Sequence, residues 1–397
     1  MSASSPFSAR SAYVHVPFCT ARCRYCAFYS GEPLDRVPRF LPALEREIEA
    51  WGPGAGPLDT VYLGGGTPGL LGAEGLTRIL DALRGVRGIA PDAEITIEVN
   101  PGAGPDPGAL RSAGATRVSV GVQALDDRWL QTLGRRHGAA QALAYLSAAR
   151  AAGVRSVSAD LLIGLPGLAP RTLAGWARDC VRAGADHVSV YVLELHEGTP
   201  LRRATEAGRF PWPAPDEAAG QWEAVAEALA AEGLHPYEVS NFARPGGECR
   251  HNLAYWDGKG YRGLGPGAHS FDPDLGPWGI RWENRPDLEG WLRALQAGAP
   301  PPRSVDERSA EGALLEALFL WARRPVPWPA DVLRRHGLEP RRAEPLLEVL
   351  RRGGDLDRRN RPTPQGMLRA DGLALWLWER LVADTGRGNS EEGDQAG

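Results

Sequence analysis

Apolar runs of strand length alternate with longer segments whose apolar residues recur at helical spacing, an order that predicts β/α units around a parallel sheet. The strand candidates are 13–16, 60–63, 95–99, 117–122, 156–163 and 187–193, with 237–240 as a seventh. Between them 34–50, 74–83, 139–152, 171–183 and 214–232 read as helices, rich in Ala, Leu, Glu and Arg. Six such units make an open, partial (β/α)6 barrel within an α/β fold. The pattern alone leaves a closed eight-stranded barrel as an alternative.

After Leu292 the pattern changes. The run Gly298-Ala-Pro-Pro-Pro302 reads as a stiff linker and divides the chain into 1–300 and 303–383. In the second part 309–323, 329–335 and 341–352 read as helices, Gly353-Gly354 as a turn, 356–362 as a short hairpin arm and 363–383 as a last helix. That order resembles a winged helix. Fold does not fix function, and no basic stripe stands without nearby acidic residues, so a docking or lid role beside the barrel is expected and no nucleic acid. Residues 384–397, polar and acidic, are expected to form a disordered tail.

Glycine and proline punctuate the strand ends at Gly64-Gly65-Gly66-Thr67-Pro68, Asn100-Pro101-Gly102 and Gly164-Leu165-Pro166-Gly167, at the end where a parallel barrel builds its site. The triglycine lets backbone groups approach a ligand with no Cβ in the way, yet it lacks the spacing and lysine of a phosphate loop, and such a run alone is a tight turn more often than a ligand contact. Glu98, Gln123 and Asp160 interrupt or end apolar strands there, and Arg135 follows. Buried groups of this kind need partners, either a bound ligand or one another, for instance Arg135 with Glu98.

The densest chemistry lies earlier, in Tyr13-Val-His-Val-Pro-Phe-Cys19-Thr-Ala-Arg-Cys23-Arg-Tyr-Cys26-Ala-Phe28. Pro17 cannot donate to a ladder, so the strand stops there and the cysteines fall on the loop that leaves it. Thiols spaced C-x3-C-x2-C can each hold one iron of a [4Fe–4S] cube, leaving the fourth iron open to a ligand. The residues also allow a zinc site short of one ligand, in a metal-stabilised interaction module, or three unrelated buried thiols.

This stretch resembles the radical S-adenosylmethionine (SAM) superfamily, in which the amino and carboxylate groups of SAM chelate the open iron. The likeness to its coproporphyrinogen III oxidase-like group runs from Tyr13 to about Leu292, through Gly-Gly-Gly-Thr-Pro68, Gly121-Val-Gln-Ala, Asp160-Leu-Leu-Ile-Gly-Leu-Pro and Tyr237-Glu-Val-Ser-Asn-Phe-Ala-Arg-Pro245. It implies the partial barrel, a cluster on Cys19, Cys23 and Cys26, and SAM contacts at Tyr13, Gly65, Gly66, Thr67, Glu98, Gln123, Arg135 and Asp160. Three departures from the oxidase pattern favour the HemW-type haem chaperone group. Phe28 stands where the oxidase carries a fourth cysteine, only twelve residues precede Tyr13 where a longer arm is expected, and His251-Asn252-Leu-Ala-Tyr255-Trp256 matches H-N-x-x-Y-W. The resemblance thus implies SAM, haem as cargo, and an acceptor protein, free or membrane-associated. The alternative is the oxidase itself, an enzyme in which a 5′-deoxyadenosyl radical takes hydrogen from a propionate.

A neutral imidazole is a good axial ligand for haem iron, and Tyr255 and Trp256 offer flat faces, which makes His251 the first candidate ligand. The same residues could simply cap a loop. Cys249 competes as a thiolate, and His269 follows another glycine-rich turn; Cys180, inside a helical segment, reads as core.

Composition narrows the setting. At 397 residues and 43% hydrophobic the chain can bury a large core, while a net charge of −4 gives no footprint for nucleic acid or an anionic membrane. Lys259 is the only lysine. An odd count of five cysteines, three of them clustered, argues against a disulfide framework and for a reducing compartment. With no signal-like start and no membrane-length apolar run, the expected address is the cytoplasm, as a monomer or a homodimer.

Overall fold

The structure, a computed structural model, describes residues 9–54 and 56–383. Six strands, β1 (Ser11–Val16), β2 (Leu58–Gly65), β3 (Ile89–Val99), β4 (Arg117–Gln123), β5 (Ser156–Ile163) and β6 (His187–Val192), lie side by side, each parallel to its neighbour. Short strands β7 (His235–Pro236) and β8 (Asn241–Ala243) extend the β6 edge antiparallel, and β9 (Arg262–Leu264) extends the β1 edge. The order β7-β8-β6-β5-β4-β3-β2-β1-β9 has two free edges, so the barrel is open.

Helices α1 (Val37–Trp51), α2 (Gly72–Arg87), α3 (Pro107–Ala113), α4 (Asp127–Leu133), α5 (Ala139–Ala151), α6 (Pro170–Arg182), α7 (Pro200–Glu206) and α8 (Pro215–Ala231) return the chain between and after these strands. Alternation decides which side chains face them. Val61, Leu63, Ile95, Ile97, Val118 and Val120 join the core packed under the helices, along with Cys180 of α6. The opposite set, Thr60, Tyr62, Glu98, Ser119, Asp160 and His187, turns into the barrel and is polar.

The seventh strand expected at 237–240 is instead a bend. The buried Glu238 carboxylate accepts from Ser240 N at 2.9 Å and from the Asn241 side chain, and Val239 N donates to Arg323 O at 2.9 Å, so strand pairing begins only at Asn241. After α9 (Arg250–Trp256), a small antiparallel sheet forms from β10 (His269–Asp272), β11 (Ile280–Asn284) and β12 (Arg303–Glu307), with α10 (Leu288–Gln296) between the last two. The residues after the proline run therefore complete this sheet before the chain enters its second core.

That core is built by α11 (Ala310–Ala322), α12 (Ala330–Arg335), α13 (Glu344–Arg352), α14 (Pro364–Leu368) and α15 (Ala370–Ala383), around Leu314, Leu318, Trp321, Leu347 and Leu377. The expected hairpin arm at 356–362 is a single bridge between Leu356 and Pro362. The expected single helix at 363–383 is two, because Thr363 N–H and Arg369 pin the first turn to Asp355. Residues 384–397, where a tail was expected, lie outside the described residues. Among the described residues no helix is long and apolar enough to cross a membrane.

Candidate cofactor site

The C-terminal ends of the parallel strands open into a cavity of about 1190 Å³, lined by Cys19, Cys23, Cys26, Gly65, Gly66, Glu98, Gln123, Arg135 and Asp160. Cys19 Sγ lies 3.5 Å from Thr67 Oγ1, Cys26 Sγ 3.9 Å from Ser30 Oγ, and Arg135 Nη1 donates to Cys23 Sγ at 3.2 Å. Burial pushes the Cys19 and Cys26 thiols up. Among the described residues no three His, Cys, Asp or Glu side chains converge closely enough for one metal ion. The thiols instead share one wall, the arrangement that fits a cube in which each thiolate holds a different iron.

The glycine loop is needed twice over. Gly65 has φ +107°, and a Cβ on Gly66 would sit 2.5 Å from Phe18 O and 2.8 Å from Val16 O, so the loop packs directly on the backbone that carries the cysteines. Gly66 N donates to Val16 O at 2.8 Å and Thr67 N to Phe18 O at 2.8 Å. Thr67 is buried against Cys19, with its hydroxyl also accepting from Asn100 Nδ2 at 2.8 Å.

Glu98 accepts from Tyr62 OH at 2.8 Å and from Gly65 N at 3.1 Å. Burial, reinforced by the neighbouring Asp160 charge, pushes its pKa up to about 7 against those two bonds. Asp160, also raised by burial, accepts from Ser119 at 3.1 Å and Ser158 at 3.3 Å. Arg135 does not pair with Glu98; it donates to Asn100 Oδ1, to Gly121 O at 2.7 Å and to Cys23, and its buried Nε has no hydrogen-bond partner. Gln123 ends β4 at φ +68°, a left-handed conformation that non-glycine residues adopt at a cost of about 1–3 kcal/mol and that clusters at binding sites. A buried guanidinium with a donor to spare and a strained amide beside two buried carboxylates fit a zwitterionic ligand.

Two sequence candidates fall elsewhere. Tyr13 faces the barrel side of β1, where it stacks on Tyr62 at 6.0 Å and bonds His15 Nδ1 at 3.1 Å, but it lines a second cavity behind the cysteine loop and not the first. His251 is 1% exposed, with Nδ1 2.8 Å from Thr60 Oγ1 and Nε2 2.8 Å from Tyr255 OH, so neither nitrogen is free for iron. Burial, with Arg117 nearby, lowers its pKa to about 3. Cys249 is no better placed: it is buried against Glu94 at 3.3 Å and pushed up to about 12 by burial. His269 opens on the second cavity.

Sequence reasoning missed Asn100, which bridges Thr67 and Arg135, and Tyr62, which anchors Glu98. Asn100 stood in a strand-end punctuation, and the alternation Thr60, Tyr62, Gly64 would have placed Tyr62 inward. It also missed the second core's share of the wall, including Arg323, Met367, Arg369 and Asp371.

An open parallel barrel with three cysteines on the loop after its first strand, a glycine loop after its second and buried carboxylates above the sheet defines a radical SAM protein, and a model of the Radical SAM superfamily matches residues 13–198. Over 387 residues the chain is 39% identical to the heme chaperone HemW of Mycobacterium tuberculosis, covering 95% of this chain and 91% of that one. The corresponding HemW of Bacillus subtilis is 33% identical over 327 residues, 79% of this chain and 83% of its own. Within the superfamily, the chain belongs to the HemW family. Its fold is that of the Escherichia coli coproporphyrinogen III oxidase HemN, at TM-score 0.74 and 22% identity over 92% of this chain and 89% of that one.

Proposed function

We propose that the chain is a haem carrier on a radical SAM scaffold, holding a [4Fe–4S] cluster on Cys19, Cys23 and Cys26, binding SAM beside it, and taking haem as cargo for an acceptor protein. The relatives' name supports haem as the cargo. The observation that carries the reading is Phe28, which fills the place of the oxidase's fourth cysteine, stands 70% exposed, and forms part of the wall of both cavities. When bound, the cluster supplies an open iron that can chelate SAM. Gly65, Gly66 and Thr67 hold the cysteine loop and border the ligand; Glu98, Gln123, Arg135 and Asp160 offer it charge and hydrogen bonds. The second core acts as a wall of this cavity rather than as a nucleic-acid module, and the cytoplasm is the proposed location.

The test is anaerobic reconstitution with iron and sulfide, metal analysis, and haem titration followed at the Soret band with and without SAM. Four irons per chain and saturable haem binding are expected, with no decarboxylation of coproporphyrinogen. Consumption of SAM with coproporphyrinogen and no haem binding would replace this reading with the oxidase; zinc retained in place of iron would replace it with the interaction module.

A further inference from the structure

The second cavity, about 560 Å³, lies behind the cysteine loop, between β1 and the small sheet. Its size falls within the roughly 300–1,000 Å³ of a single organic ligand. Phe28, Tyr255, Tyr261 and Phe271 give it flat aromatic walls. Into it opens one exposed imidazole, His269, whose side chain is 56% accessible and whose nearest charged neighbour is Glu283 at 3.7 Å. Among the described residues neither nitrogen of His269 has a hydrogen bond. Lys259, the chain's single lysine, stands on the same wall, tied only by an exposed pair to Asp257 at 3.1 Å.

We infer that this cavity is the haem site, with His269 as the ligand to iron and Lys259 facing a propionate. The inference rests on the haem-carrier reading and gives it a location. A porphyrin presents two apolar faces, an electrophilic metal and two carboxylates; the cavity presents aromatic faces, a free imidazole and a surface cation that can exchange partners. The H-N-x-x-Y-W residues then act from behind. His251 holds the Tyr255 hydroxyl at 2.8 Å and packs edge-on against its ring at 4.9 Å, and Tyr255 in turn meets Tyr261 at 4.5 Å. His251 is a positioning residue for an aromatic wall, not a ligand. The competing imidazole is His196, which lines the first cavity and pairs with Glu194 at 3.2 Å.

The experiment titrates the reconstituted full chain with haemin and, in parallel, with iron-free protoporphyrin. His269→Ala should shift the Soret band and weaken haemin by roughly tenfold or more, while protoporphyrin affinity stays within about twofold, because only the metal bond is lost. Phe271→Ala and His251→Ala should weaken both porphyrins, and His196→Ala neither. Unchanged haemin affinity and Soret position in His269→Ala, or a shift in His196→Ala, overturns the site while the carrier reading stands. Wild-type protein that binds no haemin overturns the carrier reading itself. Unaltered protoporphyrin binding in His269→Ala also reports that the variant is folded.

Discussion

Replacing Glu98 by Gln keeps the shape of the side chain and removes its charge, which separates two consequences of its position. The folded-state pKa is raised from 4.5 to about 7, chiefly by burial. Without ligand, the stability linked to this group is fully present below pH 4.5 and is lost as pH rises through 7, a change on the order of 3 kcal/mol at about 1.4 kcal/mol per unit. If the ionised carboxylate is what meets SAM, only about a tenth of the protein is competent at pH 6 and about nine-tenths at pH 8, so affinity should rise about tenfold across that interval. Glu98→Gln should lose the slope and, at pH 8, about 1.5–3 kcal/mol of binding, ten- to a hundredfold. At pH 8 the variant should be at least as stable as the wild type, because the amide oxygen can still accept from Gly65 N–H, its NH2 can donate to the Tyr62 hydroxyl oxygen, and the buried charge is gone. The assay is anaerobic calorimetric titration of SAM at pH 6, 7 and 8, with thermal midpoints recorded alongside. A flat wild-type profile, or a variant that keeps the slope, refutes the assignment of Glu98 to the ligand.

Cys19→Ala, Cys23→Ala and Cys26→Ala should each abolish the cluster, since Cys180 and Cys249 are fully buried and cannot substitute, whereas Phe28→Ala should retain it; iron and sulfide content decides. Gly66→Ala should cost about 1–3 kcal/mol and lower cluster content, because its Cβ would meet Phe18 O at 2.5 Å; an unchanged thermal midpoint with full iron content would show that the loop yields freely. Glu47→Ala should destabilise the fold by about 3 kcal/mol or more in denaturant titration, since Gly265 N–H, Asn284 Nδ2–H and Trp291 Nε1–H all donate to this buried carboxylate, at 2.8, 2.7 and 3.0 Å, and would be left unpaired.

What could be read from the sequence was whatever its physics encodes locally. Three thiols in eight residues, a glycine run after a strand and polar residues at every second strand position carry their meaning in spacing, and each lines the cavity or braces it. What could not be read depends on partners distant in sequence. Thr60 is 191 residues from His251, and its hydroxyl turns a candidate ligand into a buried brace. The bend at 237–240 depends on Arg323, and β12 depends on a register with β11 that a proline run hid behind the appearance of a linker.

Burial sorts donors that composition treats alike. The two thiols outside the cysteine loop are sealed in the interior, where burial disfavours the thiolate, while the three on the loop border open space beside a guanidinium. The same distinction applies to the imidazoles. His251 is held neutral by burial and hydrogen-bonded at both nitrogens, whereas His269 is accessible and makes no side-chain hydrogen bond, with Glu283 beside it at 3.7 Å, although its sequence context is the less suggestive of the two. A metal ligand must be deprotonated, reachable and free to turn towards its metal. Of these two histidines only His269 is reachable and free to turn, and it is so from a wall that His251 supports through Tyr255.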